Sequence, residues 1–187
     1  MSFIKLLDTK LLLWLNSFTG QNVWLDRVVD ALASKVLPYL FIVALIFLFF
    51  YPQIKKLPIL YERRRMVVWA LICGILSRLI FTPIIRFILP RVRAYEYLPV
   101  HLIGPQDGAN SFPSGHAAFF FAIAFMVYYF DKKLGYIFLG GAFIMGLARV
   151  VAGIHFPLDI LAGAFLGWFS SVLLEHFFIR RKFTVKH

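Results

Sequence analysis

Residues 113–130 read PSGHAAFFFAIAFMVYYF, a four-residue polar knot followed by an uncharged, aromatic-rich run. After His116 the run holds no charge, glycine or proline, and its apolarity predicts a membrane-crossing helix. Pro113-Ser114-Gly115-His116 reads as the start of that helix, with Ser114 as the N-cap and the amides of Gly115 and His116 left open in the first turn. An anion fits there, Gly115 lets it approach the backbone, and His116 can face the same anion. Working outward, Arg86 and Arg93 lie upstream and Arg149, His155 and Asp159 downstream, each at the border of an apolar run. Residues this costly to place near lipid are rarely idle.

The rest of the composition agrees. The chain is 61% hydrophobic with a mean hydropathy of +0.80, which marks 1–187 as a single membrane-embedded domain, not a soluble core. Cys73 falls inside an apolar run, so no intrachain disulfide is possible and the thiol is read as packing. A net charge of +11 would suit nucleic acid, but the basic residues gather at the ends of apolar spans, the pattern of membrane anchoring. Membrane lipid is the expected partner and nucleic acid is not.

Five spans are expected in an all-α polytopic bundle, preceded by an interfacial helix. Phe3, Ile4, Leu7, Leu11, Trp14 and Leu15 recur at helical spacing over 3–15, interrupted by Lys5, Asp8 and Lys10; the interruptions favour a helix lying in the interface over a cleaved signal peptide. An amphipathic lead-in from Asp26 to Ser34 runs into a first span at about 36–51, and a second follows at about 66–85. Ala117–Phe130, Leu134–Gly153 and Leu158–Leu174 complete the set. The connection 53–65 holds Lys55, Lys56, Arg63, Arg64 and Arg65; Lys132 and Lys133 form a second basic turn, and Arg180, Arg181, Lys182 and Lys186 a third group. Short basic connections stay cytoplasmic, so this is expected to be a multi-pass cell-membrane protein with these segments inside. Arg86, Arg93, Ser114, His116, Arg149, His155 and Asp159 then all fall at outward, extracytoplasmic span ends and are expected to meet in one pocket.

The chemistry of that pocket follows from residue types. Pro157 suits the first turn of the last span, so Asp159 in that turn can reach back to His155. A carboxylate on one ring nitrogen fixes the tautomer and leaves the other nitrogen free to attack, which makes His155 the candidate nucleophile. Arg86, Arg93 and Arg149 offer forked donors matched to phosphate oxygens, neutralising charge in a phosphoryl transfer without a metal or other cofactor. His116 is left to protonate the leaving oxygen. A divalent metal on the two histidines and Asp159 is the rival, disfavoured by three neighbouring arginines. A lipid-binding or transport protein is the non-enzyme alternative, weakened by the lack of an internal repeat. Arg78, deep in the second span, is expected to face the bundle interior or a watery cavity, without a catalytic role. Arg91 and Glu96 read as ordinary loop charges, and His101, His176 and His187 have no motif around them.

These residues resemble the type 2 phosphatidic acid phosphatase superfamily of membrane lipid phosphatases. Its signature is lysine, six residues, arginine-proline; then proline-serine-glycine-histidine; then serine-arginine, five residues, histidine, three residues, aspartate. Segment 86–94 carries the first motif with Arg86 for lysine and Ala94 for proline; 113–116 carries the second in full; 148–159 carries the third with Ala148 for serine. The resemblance implies a phosphohistidine on His155, assisted by Asp159, with His116 protonating the leaving lipid. Arg86, Arg93, Ser114, Gly115 and Arg149 would hold the phosphate. It implies a lipid monophosphate or diphosphate substrate, most like undecaprenyl diphosphate, with phosphatidylglycerophosphate, phosphatidate and lipid A as alternatives.

Overall fold

The computed structural model describes residues 3–50, 57–105, 108 and 110–179, in which helices account for all the regular structure apart from one isolated bridge between Val92 and Asn110. Helix α1 is Phe3–Asn16. Helix α2 runs unbroken over Val23–Phe50, so the amphipathic lead-in and first apolar span are one rod, joined through a π turn at Ala31–Lys35. Helix α3 covers 57–88, as Leu57–Leu76, a π turn at Ser77–Phe81 and Thr82–Ile88. Helices α4, α5 and α6 are Gly115–Phe130, Lys132–Val151 and Pro157–Leu174. Four of these, α2, α3, α5 and α6, are long and apolar enough to cross a bilayer, and α4 is a shorter apolar helix of 16 residues. The chain is a multi-pass membrane protein, since lipid admits only segments whose backbone groups are satisfied internally.

Helix α4 is the central rod, packed on α3, α5 and α6. Two glycines of α6 explain how closely it fits α4. A Cβ on Gly163 would lie 2.7 Å from the Ser114 carbonyl oxygen, and one on Gly167 would lie 2.6 Å from the Ala122 amide nitrogen. Small residues four apart let helix backbones touch, and in lipid that contact is the main source of association. A Ser114 amide to Asp159 carbonyl bond of 3.0 Å ties the N-terminal ends of these two helices together. Below it, Phe41, Met66, Cys73, Phe120, Ile123, Met126 and Met145 fill the membrane core.

One expectation needs correction. The basic connection after the first span is shorter than 53–65, because α3 has already begun at Leu57. Arg64 lies over the Phe49 ring and Arg65 pairs with Glu62 at 3.2 Å, so these charges stand on helix, at the end of the bundle away from Asp159. Lys55, Lys56, Asp107, His187 and the tail from Arg180 lie outside the described residues. Helix α1 has the orientation expected of an interfacial helix, with its apolar stripe turned away from the protein. Asp8, Leu12 and Asn16 are buried against the protein, whereas Phe3, Ile4, Leu7, Leu11 and Trp14 are exposed. The reason is the solvent: beside a bilayer the apolar stripe belongs on lipid, and the polar stripe seeks the loops. Asn16 bridges those loops, donating to the carbonyls of His101 at 2.9 Å and Val151 at 2.8 Å and accepting the His101 amide at 2.8 Å.

Candidate active site

The C-terminal part of α3, the start of α4, the turn before α6, and Arg93 and Gly108 of the connection between α3 and α4 enclose a cavity of about 270 Å³, lined by Arg78, Leu79, Thr82, Pro83, Arg86, Arg93, Gly108, Gly115, His116 and His155. His155 sits in the turn before α6, 1% exposed, with Asp159 one helical turn later and fully buried. Its Nδ1 lies 3.4 Å from Asp159 Oδ2 and 3.3 Å from Ser111 Oγ. Ser111 donates its own proton to Asp159 Oδ2, so both neighbours of Nδ1 act as acceptors toward the ring. That places the imidazole proton on Nδ1 and the lone pair on Nε2, toward the cavity, where Arg93 Nη1 stands 3.5 Å away. Burial pushes the His155 imidazole down to about 4; the bond to Asp159 opposes this, and the Arg149 and Arg93 charges reinforce it. The ring is therefore neutral at pH 7, as a nucleophile must be.

Asp159 is held from every side. Oδ2 also accepts the Phe156 amide at 2.9 Å, which caps α6, and Oδ1 accepts Arg91 Nη1 at 2.8 Å. Arg91 is thus not the ordinary loop charge its sequence context implied. Its other arm reaches Asp8 Oδ2 at 2.6 Å, its guanidinium carbon lies 3.7 Å from the centre of the Phe156 ring, and Asp8 Oδ1 accepts the Leu158 amide at 2.9 Å. Sequence reasoning missed Arg91, Ser111 and Asp8 as parts of the site. The one available signal for Asp8 was a carboxylate breaking an apolar helix; Ser111 and Arg91 carried none.

The arginines divide. Arg93 is 1% exposed and donates to the carbonyls of Gly108, Asn110 and Ile154, so it anchors the loop while lending its charge to the cavity. Arg86 directs Nε and Nη2 to the Pro113 carbonyl at 3.3 and 3.1 Å and lies across from Gly115, where an added Cβ would sit 3.7 Å from Nη2. Arg149 is buried, with its charge felt by His155 and Nη1 donating to the Ala33 carbonyl at 3.1 Å, and the cavity wall does not include it. Ser114 is likewise fully buried; its hydroxyl accepts the Ala117 amide as the N-cap, and what it offers the cavity is the helix start. Ala148 packs in an apolar cluster with Val29, Ala33, Ile103, Ala152 and Ile154, so the missing serine hydroxyl falls at a helix contact outside the cavity wall. Ala94 is fully buried and begins a 3-10 turn that includes Glu96. His101 stands 3.9 Å from Asp26, and His176 against Phe177; neither lines the cavity. Arg78 does line it.

A helical membrane bundle with a histidine–aspartate pair beneath an arginine-lined cavity is the class that fold and site define. The chain belongs to the PAP2 superfamily, whose family model matches residues 67–183. It is 35% identical over 114 residues to the bacitracin transport permease protein BcrC of Bacillus licheniformis, a match covering 60% of this chain and 56% of that protein. It is 26% identical over 126 residues to the undecaprenyl-diphosphatase of Sulfolobus acidocaldarius, covering 65% of this chain and 61% of that one. The chain thus spans about three fifths of the length of these curated relatives. Among solved structures it resembles LpxE of Aquifex aeolicus, with a TM-score of 0.72 and 27% identity over 91% of this chain and 96% of that one.

Proposed function

We propose that this protein is a membrane lipid phosphatase that works through a phosphohistidine on His155, with undecaprenyl diphosphate as the substrate. The observation that carries the reading is the neutral, buried His155, its Nδ1 on Asp159 and Ser111 and its Nε2 turned to a cavity walled by Arg78, Arg86, Arg93 and His116. Nε2 attacks the terminal phosphorus; the N–P bond forms as the bridging P–O bond breaks, and His116 gives the departing oxygen its proton. Arg86 and Arg93 neutralise the transferring group, the Gly115 amide at the start of α4 takes a phosphate oxygen, and Arg149 adds positive charge from outside the cavity wall. In the second half, His116 accepts a proton from water, which displaces His155 and releases phosphate.

Substrate choice draws on the relative named undecaprenyl-diphosphatase and on an arginine-rich cavity that suits more than one phosphate. Against the permease name of the Bacillus licheniformis relative stands the oriented nucleophile, which a passageway would not need. The basic residues Arg64, Arg65 and Lys132 mark the cytoplasmic end, so the site lies at the extracytoplasmic face. Phosphate release by purified protein, with a chelator present, is the test on undecaprenyl diphosphate, phosphatidylglycerophosphate, phosphatidate and lipid A. The expected result is turnover that survives chelation and is fastest on the diphosphate. No turnover on any of the four would overturn the reading.

A further inference from the structure

Arg78 is a full charge within the long apolar helix α3, ten residues before its end at Ile88, or about 15 Å along the axis. That distance is too great for the side chain to reach headgroups, so snorkelling does not account for it. The residue is half-buried, and among the described residues it makes no hydrogen bond or ion pair. It faces the cavity that holds His155 and His116, and no described carboxylate lines that wall. A π turn at Ser77–Phe81, braced by Thr82 Oγ1 donating to the Ser77 carbonyl at 2.9 Å, sets the register. In a regular α-helix two four-residue steps over-rotate by about 80°; the extra residue in a π turn takes up that excess and brings 78, 82 and 86 into one row. All three line the cavity. An unpaired charge held in a membrane span by a widened turn calls for a ligand of opposite sign.

We propose that Arg78 is a specificity-determining residue that binds the inner phosphate of a lipid diphosphate, the phosphate attached to the chain. The proposal rests on the phosphatase reading given above. With the terminal phosphate at His155, the hydrocarbon chain must run into the bilayer, so the second phosphate lies on the membrane side of the first. Arg78 is the cavity's cation at that deeper level, eight residues below Arg86 on the same helix, about 12 Å along the axis. As the bridging P–O bond breaks, the inner phosphate gains negative charge, which the forked guanidinium meets. A monophosphate lipid has no group at this position.

The test compares wild type, Arg78→Gln and Arg78→Lys on a prenyl diphosphate and the prenyl monophosphate of the same chain length. It also measures binding of methylenediphosphonate and orthophosphate to each protein. The expected result is a fall of about 10- to 100-fold in the diphosphate-over-monophosphate ratio of kcat/KM for Arg78→Gln, the size of one charge-assisted hydrogen-bond set. Arg78→Lys recovers part of it, and methylenediphosphonate binding weakens more than orthophosphate binding. Parallel losses on both substrates, or an unmoved ratio, would overturn the proposal. If wild type hydrolyses neither lipid, the phosphatase reading fails, and the binding arm still judges Arg78: equal weakening of both anions rejects it, selective loss of the diphosphonate supports it. Should Arg78→Gln not fold, the same ratio in Arg78→Lys decides, with an unchanged ratio counting against.

Discussion

Asp8 of α1 and Arg91 of the loop after α3 form an ion pair of 2.6 Å in which the carboxylate side chain is only 1% exposed. The same guanidinium holds Asp159 at 2.8 Å, so the N-terminal helix is linked to the His155 pair through one side chain. Removing Asp8 leaves Arg91 with one anchor and the Leu158 amide without its acceptor. Asp8→Ala is expected to cost about 1–3 kcal/mol, the range for leaving a buried group unsatisfied. Turnover should fall about tenfold, with Asp159 less firmly placed. Thermal unfolding and phosphate release, both in detergent, check this; wild-type stability and rate in Asp8→Ala would count against the link.

His155 is expected to stay neutral down to about pH 4, well below the ordinary imidazole value, because burial disfavours its charged form. An unfolded chain takes up that proton near pH 6.5, so between these limits the unfolded state binds more protons and stability declines as pH falls. Side-chain nitrogen NMR of labelled protein reads the titration directly. A midpoint for His155 near 6.5 would refute the assignment.

The two histidines should separate by leaving group. His155→Ala is expected to abolish turnover and any phosphoenzyme, since no other imidazole in the described site has Asp159 behind it. His116→Ala should cost about 10²–10⁴-fold on a lipid monophosphate, whose alkoxide needs a proton, and much less on an activated aryl phosphate. Rapid-quench trapping with peptide mapping tests the pair, and a label on His116 would reverse the roles.

Helix α6 touches α4 through Gly163 and Gly167, where a side chain has nowhere to go: Cβ positions fall 2.7 and 2.6 Å from α4 backbone atoms. Gly167→Ala is expected to destabilise by about 1–3 kcal/mol through overpacking, and Gly163→Leu by more. The change should also disturb the site, because Ser114 and Asp159 are joined across this contact. Melting temperatures and phosphate release in detergent should fall together; an unchanged melting temperature in Gly163→Leu would show that the helices separate freely.

Much of this protein was settled by local order along the chain. The apolar runs had to become helices because lipid leaves the backbone no other partner, and their lengths set the spans. His155 and Asp159 are four residues apart at a helix start, so their meeting follows from one turn of helix, as does the N-cap at Ser114. Tertiary structure alone decided the rest. Asp8 reached Arg91 only once two distant segments docked. Arg149 and Ala148 shared a motif with His155, yet helix packing turned Arg149 to Ala33 and Ala148 into an apolar contact. Arg78 showed in sequence only as a costly charge in a span; the π turn that brings it to the cavity packs against α4 and α6, and no local periodicity encodes it.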